Sequence, residues 1–156
     1  MIRHDVRKTV RWLPEDMFAI VADIEAYPEF LPWCSGARVY HRSRSGKVET
    51  LETELTVSFK VITESYRSRV TLDPENLRIG VANLGGLFRT LESGWAFRRV
   101  ASGCEIDFFI EFEFKSAVLG RVMGLMFDRA MRRMVAAFED RAEAIYGWST
   151  GETASF

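Results

Sequence analysis

Two histidines, two cysteines and one acidic strand are the residues that could supply acid–base, nucleophilic or metal chemistry. His4 and His41 have no Cys, Asp or Glu at metal-ligand spacing, and no HExxH or CxxC motif is present. We interpret both histidines as solvent-facing strand residues. Cys34 and Cys104 stand among apolar residues, which predicts buried and unreactive thiols, because a nucleophilic thiolate needs a basic neighbour.

Two further patterns could carry chemistry, a set of carboxylates and a glycine-rich segment. The segment 80–86 lacks the Lys-Ser/Thr pair and the βαβ context of a phosphate-binding loop. The carboxylates share one face of a predicted strand, where a solvated exterior accounts for them without catalysis: Glu105, Asp107, Glu111 and Glu113. The sequence therefore predicts that the chain is not an enzyme and has no catalytic residue, no metal site and no required cofactor.

Length and net charge limit the classes of function that remain. The 156 residues suit one domain, and a net charge of −1 gives no bulk attraction to nucleic acid, so no DNA partner is predicted. There is no apolar run of about 18 residues, and the N-terminus resembles neither a signal peptide nor a transit peptide. We expect a cytoplasmic protein without a disulfide framework.

Alternation of polar and apolar residues predicts a sheet-rich fold. A strand at 3–11 precedes a helix with Pro14 at its first position, and a bent, proline-containing segment follows. The last predicted strand, 104–114, places apolar residues on one face and acids on the other, which is typical of an antiparallel sheet with one packed face. The strands after the bent segment are predicted at 37–44, 48–59, 61–72, 77–82, 88–100 and 104–114.

From about residue 118 to 146 the apolar residues recur with the period of an α-helix. This predicts one terminal helix about 40 Å long, enough to cross a curved sheet. Gly147 is placed to end it. The predicted fold is therefore α+β with the order β-α-α-β(5-6)-α. We assign 1–147 to one domain and 148–156 to a flexible tail.

This terminal helix leaves several interpretations open. Gly120 and Gly124 make its start easy to deform. Its methionines suit ordinary core packing, and the deformable start rich in Leu, Val and Met alternatively suits an entrance to an internal cavity or a lip that touches a membrane. Its arginines either pair with neighbouring acids on a solvated face or contact lipid head groups or RNA phosphates. These arginines are Arg121, Arg129, Arg132, Arg133 and Arg141.

The bent segment 23–34 is rich in aromatic residues. Pro28 and Pro32 prevent a long helix, yet Tyr27, Phe30 and Trp33 would leave much apolar area in water at a cost of about 25 cal/mol per Å². We therefore expect this segment to cover an apolar surface as a lid.

Four ordered motifs carry a family resemblance that covers about residues 2–147, nearly the whole chain. They are Tyr27-Pro28-Glu29-Phe30-Leu31-Pro32-Trp33-Cys34, Phe88-Arg89-Thr90-Leu91 with Trp95-Ala96-Phe97, Phe112-Glu113-Phe114-Lys115-Ser116, and Ala136-Ala137-Phe138-Glu139-Asp140-Arg141-Ala142. Together they resemble the coenzyme Q-binding branch of the START-like (polyketide cyclase/dehydrase) superfamily, whose bacterial members are often labelled ribosome-association toxins. One position departs from the pattern of that family, since Leu87 stands where family members often have proline.

The resemblance implies a helix-grip fold, in which a curved antiparallel sheet wraps around the C-terminal helix and leaves a cavity between them. It further implies that a polyprenylated quinone such as ubiquinone, or a similar lipid, binds there and is delivered in support of respiration. Delivery implies transient contact with the inner face of the cytoplasmic membrane. Two alternatives remain: a toxin-like regulator that contacts the large ribosomal subunit, and a cyclase or dehydratase.

The residues expected to contact the ligand come from the first helix, the lid, the strands and the terminal helix. Tyr66 is the candidate donor to a quinone carbonyl, with a solvent-facing hydroxyl as the alternative. The entrance is predicted at Val118, Leu119 and Val122. The predicted ligand contacts are Phe18, Val21, Phe30, Trp33, Leu55, Val57, Tyr66, Trp95, Phe108, Phe112, Met123, Met126, Phe127 and Met134.

Overall fold

The computed structural model describes residues 2–59, 61–124 and 126–147, so the predicted tail 148–156 lies outside the described residues. A short 3-10 helix, Ile24–Glu29, follows the first helix. The helices are α1 (Pro14–Ala22), α2 (Ala117–Gly124) and α3 (Phe127–Ile145). The strands are β1 (Ile2–Val10), β2 (Cys34–Ser45), β3 (Val48–Phe59), β4 (Ile62–Asp73), β5 (Arg78–Gly86), β6 (Phe88–Val100) and β7 (Gly103–Phe114).

The strands form one curved antiparallel sheet in the order β1-β7-β6-β5-β4-β3-β2. Strands β2 to β7 pair with their neighbours in sequence, and β1 closes the edge on β7. The inner face of the sheet packs against α1 and α3, with Phe138 and Ala142 of α3 in the main core cluster. The predicted α+β helix-grip fold is thereby confirmed.

The prediction of one continuous terminal helix is wrong. The helix stops at Gly124, and α3 starts at Phe127 after the turn in which the Met126 amide donates to the Met123 carbonyl at 3.1 Å. Glycine is a poor helix former, so the break falls where propagation is least favourable. It lets α2 pack its Leu119 and Met123 against the cluster around Phe112, while α3 packs against the main core.

Strand β5 runs further than predicted, through Gly86. Gly86 has φ +102°, and a Cβ at this position would lie 2.5 Å from the Ser65 carbonyl oxygen, so only glycine fits. The next residue, Leu87, donates its amide to that same Ser65 carbonyl at 3.1 Å. Leucine can donate this hydrogen bond, whereas proline, which has no backbone N–H, cannot.

The acidic face of β7 is a solvated exterior, as predicted. Arg7 pairs with Asp107 at 2.8 Å across the β1–β7 ladder, and Arg98 pairs with Glu105 at 2.6 Å across the β6–β7 ladder. Phe109 is the apolar exception on this face. The guanidinium of Arg3 lies 4.6 Å from the centroid of its ring, which shields it from water.

The interpretation of His4 as a solvent-facing residue is wrong. Its Nδ1 lies 2.9 Å from a carboxylate oxygen of Asp128, and its ring packs 4.8 Å from that of Phe127. His4 thus ties the edge strand β1 to the first turn of α3, a contact between residues too distant in sequence for periodicity to reveal. His41 is exposed, as expected.

Candidate ligand-binding cavity

A cavity of about 250 Å³ lies between the inner face of the sheet, the lid and the helices α2 and α3. Its wall is almost entirely apolar, and Glu64 is the one charged residue among the described residues that line it. Such a wall favours an apolar ligand, because a charged group placed there would lose its hydration without gaining a partner.

Most of the predicted ligand contacts do lie together around this cavity. They come from α1, the lid, four strands and both terminal helices, which long-range pairing brings to one place. The predicted residues that line the cavity are Val21, Trp33, Leu55, Val57, Tyr66, Trp95, Phe108, Met123, Met126, Phe127 and Met134. Their role in binding stays a prediction.

Three predicted contacts do not line the cavity. Phe112 is 0% exposed, and its ring packs 4.2 Å from that of Phe127, so it supports the wall from behind. Phe18 packs edge-on against Phe97, and Phe30 packs edge-on against Phe138. The alternation of side chains along a strand identifies which of them face inward. It does not show whether another aromatic ring lies between such a side chain and the cavity.

Sequence reasoning missed the polar residues of the wall, Thr53, Ser68 and Ser93, which are the buried polar side chains of the described chain. Each occupies an inward position in an otherwise apolar alternation on its strand, for example Ser68 between Tyr66 and Val70. A small hydroxyl residue at a core-facing position on three strands was the signal available in the sequence.

Two tyrosines also border the cavity, and burial raises the pKa of both hydroxyls, so both stay protonated donors. The hydroxyl of Tyr27 donates to the Val21 carbonyl, which fastens the lid to α1. The hydroxyl of Tyr66 bonds to no described residue, while its ring packs edge-on at 5.0 Å from Phe88. Tyr66 therefore keeps its donor free on the cavity side.

The lid, residues 27–33, is held down by arginines of α3. The guanidinium of Arg141 lies 5.0 Å from the centre of the Phe30 ring and 3.2 Å from the Glu29 carboxylate. The guanidinium of Arg133 lies 5.9 Å from the centre of the Trp33 ring. Of the alternatives left open for these arginines, pairing with a neighbouring acid of the same helix does not hold for Arg141, which pairs with Glu29 of the lid.

The cavity opens at the end of the sheet where the β3–β4 hairpin projects beyond β5. Glu64 is exposed and also lines the cavity, so solvent reaches the cavity there. Helix α2 contributes Met123 to the cavity wall, and Met123 packs in the same cluster as Val57 and Tyr66. Of the predicted entrance residues, Val118 and Val122 are 69% and 46% exposed. Leu119 is half-buried against the cluster around Phe112, and its role at the entrance stays a prediction.

The two thiols are poorly placed for nucleophilic chemistry. Burial raises the pKa of Cys104 to about 11, and burial also raises the pKa of Cys34, whose thiol donates to the Gly36 carbonyl. No histidine or lysine lines the cavity in the part of the chain that the structure describes. That part also contains no cluster of three or more metal-binding side chains and no helix able to cross a bilayer.

A family described as "Polyketide cyclase / dehydrase and lipid transport" matches residues 12–139. The chain belongs to this family. The match covers the lid, the whole sheet from β2 to β7 and most of α3, and hence the cavity. The description includes both enzymes and lipid carriers, so membership alone does not decide between catalysis and transport.

Two relatives match almost the whole chain. Ribosome association toxin RatA from Rickettsia prowazekii (strain Madrid E) is 33% identical over 148 residues, with 93% of this chain and 99% of the relative covered. Coenzyme Q-binding protein COQ10 homolog B, mitochondrial, from Xenopus laevis is 35% identical over 150 residues. Those residues are 94% of this chain but 60% of that relative's length. These names confirm the predicted branch.

A solved structure supports the architecture. The solution structure of an 18 kDa protein from Caulobacter crescentus is 37% identical to this chain, with a TM-score of 0.80. The similarity covers 94% of this chain and 99% of that protein. The overall fold described above is thus shared with a solved structure over nearly the whole of both chains.

Proposed function

We propose that this protein binds a polyprenylated quinone, such as ubiquinone, or a similar uncharged lipid, and delivers it to respiratory enzymes without catalysing a reaction. The observation that supports this most directly is the apolar cavity, whose single charged lining residue, among those described, stands at the opening. The similarity to a coenzyme Q-binding protein points to the same class of ligand.

A carrier also needs a route from the membrane to its cavity. The exposed side chains of Val118 and Val122 lie on α2 beside the opening, and Val61, 98% exposed, lies at the tip of the β3–β4 hairpin on the same end of the sheet. Arg121 on α2 forms no ion pair with a described residue. Exposed apolar side chains next to a cationic one are suited to shallow insertion among lipid head groups. We therefore propose that this end of the sheet docks transiently on the membrane.

Extraction of the purified protein with organic solvent, followed by mass spectrometry, tests the proposal. We expect a prenylated quinone or another neutral lipid to co-purify. A protein that carries no lipid, and whose melting temperature does not rise on adding a short-chain quinone, would contradict it, because a ligand that binds only the folded state must stabilise that state.

A ribosome-associated function is the second candidate, supported by the similarity to a ribosome association toxin. Of the five arginines named in the sequence analysis, two are the better candidates to serve it. Arg132 pairs with Asp128 at 3.5 Å and Arg133 lies over Trp33, whereas Arg121 and Arg129 are exposed and have no ion pair within the described ranges. Co-sedimentation with ribosomal particles that falls steeply with salt, and is lost in Arg121→Glu with Arg129→Glu, would favour this function.

A further inference from the structure

The three buried polar side chains form a band across the cavity wall. Thr53 on β3 stands directly opposite Ser68 on β4, and Ser93 on β6 lies two strands further along the sheet. Ser68 is 2% exposed. We call these three residues the hydroxyl band. Apolar residues flank it on both sides, with Val70 and Trp95 towards α1 and Leu55 and Tyr66 towards the opening.

The three hydroxyls of the band differ in their hydrogen-bond partners. Thr53 Oγ1 donates to the main-chain carbonyl of Ser68 at 3.4 Å. Ser68 Oγ is buried and has no hydrogen-bond partner among the described residues. The Ser93 hydroxyl, which also lines the cavity, bonds to none of them either. Ser68 Oγ is thus a buried hydroxyl on the cavity wall that lacks the partner such groups normally have, and a molecule bound in the cavity would supply that partner.

We propose that Ser68 and Ser93 form a head-group subsite, in which their hydroxyls donate hydrogen bonds to oxygen atoms of a neutral ligand. This inference deepens the proposed function and rests on it. Tyr66, whose hydroxyl is also unused, adds a third donor on the side nearer the opening. Several donors at different depths suit a ring that carries more than one carbonyl or ether oxygen.

The same geometry sets the direction of the ligand. The residues between the hydroxyl band and the opening are apolar, including Leu55, Val57, Phe59 and Ile62, so an apolar tail lies against them with the head group inside. A volume of about 250 Å³ falls just below the roughly 300 Å³ at which ligand pockets usually begin. The cavity therefore holds a ring and the start of a tail, and the rest of the tail leaves through the opening.

The subsite also excludes a class of lipids. Fatty acids and phospholipids carry an anionic head group, which needs a cationic or strongly donating partner once it is buried. No Lys, Arg or His lines the cavity within the described residues. Neutral hydroxyls are good hydrogen-bond donors to carbonyl oxygens. They do not offset the desolvation cost of a buried carboxylate or phosphate.

Two probes with the same tail separate head-group recognition from apolar packing: a decyl-tailed dimethoxy-benzoquinone and decylbenzene. Titrations followed by tryptophan fluorescence measure both affinities. Ser68→Ala and Ser93→Ala are each expected to weaken quinone binding about three- to tenfold, the range for one hydrogen bond, and to leave decylbenzene binding unchanged. Ser65→Ala is the matched control, because Ser65 lies on the same strand with its hydroxyl bonded to Thr56 on the outer face.

A spectroscopic measurement addresses the same contact without relying on affinity. The infrared carbonyl band of the bound quinone should shift to lower frequency in the unaltered protein and return towards its free position in the double serine variant. Unchanged quinone affinity and an unshifted band would overturn the subsite and leave an ordered water as the partner of Ser68. Equal weakening of both probes would also overturn it, since it would show a packing role. Failure of the unaltered protein to bind either probe would refute the proposed function as well.

Discussion

The guanidinium of Arg141 covers the ring of Phe30 at 5.0 Å while also pairing with the neighbouring carboxylate of Glu29. A single side chain near the end of α3 therefore holds the lid by two kinds of contact. Phe30 in turn packs edge-on against Phe138 of α3, so the lid lies on a helix that itself lines the cavity.

Removal of this contact should loosen the lid and leave the sheet intact. We expect Arg141→Gln to lower the free energy of unfolding by only about 0.5–1 kcal/mol, because its partners are near the surface. Amide exchange should accelerate at Phe30 and Leu31, whose amides donate to the Tyr27 carbonyl. Arg132→Gln, which removes an exposed pair within α3, is the control; equal effects of the two changes would contradict the role of the lid contact.

Enlarging a side chain distinguishes the cavity from the packed core. Met126 lines the cavity, so Met126→Trp should fill space, reduce lipid retention and leave the melting temperature nearly unchanged. Phe112 is fully buried behind the wall, so Phe112→Trp should cost about 1–3 kcal/mol of stability through overpacking. Thermal unfolding and lipid content measure both. A strong loss of stability in Met126→Trp with unchanged lipid content would show that no usable cavity exists there.

The exposed valines of α2 should control exchange with membranes. Val118→Ser with Val122→Ser is expected to slow quinone transfer between liposomes several-fold while the protein stays folded, because less apolar area enters the interface. Ile145→Ser, at the far end of α3, removes an exposed apolar side chain away from the opening and should leave the rate unchanged. If both variants transfer quinone at the normal rate, entry takes place elsewhere, and the lid becomes the next segment to test.

The buried thiol of Cys104 should make the protein less stable at alkaline pH. Burial raises its pKa from 9.0 to about 11, so the folded state keeps the proton while the unfolded chain releases it. The stabilising contribution is complete below pH 9 and is lost as the pH rises towards 11. Urea unfolding at several pH values should show a shallower decline in Cys104→Ala. An identical decline would assign the effect to other groups, such as Tyr27 and Tyr66, whose pKa values burial also raises.

Residue pattern alone predicted the parts of this protein that local physics controls. Alternation in 104–114 identified β7, its packed phenylalanines and its acidic outer face, because side chains on a strand alternate between the two faces. The resemblance implied the cavity, and the same logic then selected strand residues that line it, such as Leu55 and Phe108, since a residue that faces inward lies close to whatever the sheet encloses. The glycines before residue 125 also marked a weak point in the terminal helix.

Only the tertiary structure decided which of the inward-facing residues line the cavity. It also decided which residues near the two ends of the chain contact each other. The contacts of His4 with Asp128 and of Arg141 with Glu29 join residues more than a hundred positions apart, beyond any local period. Whether Ser68 keeps a free hydroxyl depends on the β3–β4 register, which places the hydroxyl of Thr53 on the Ser68 carbonyl and leaves the Ser68 side chain unused. Register and helix placement are settled by the packing of the whole core, because one step along a strand exchanges its two faces.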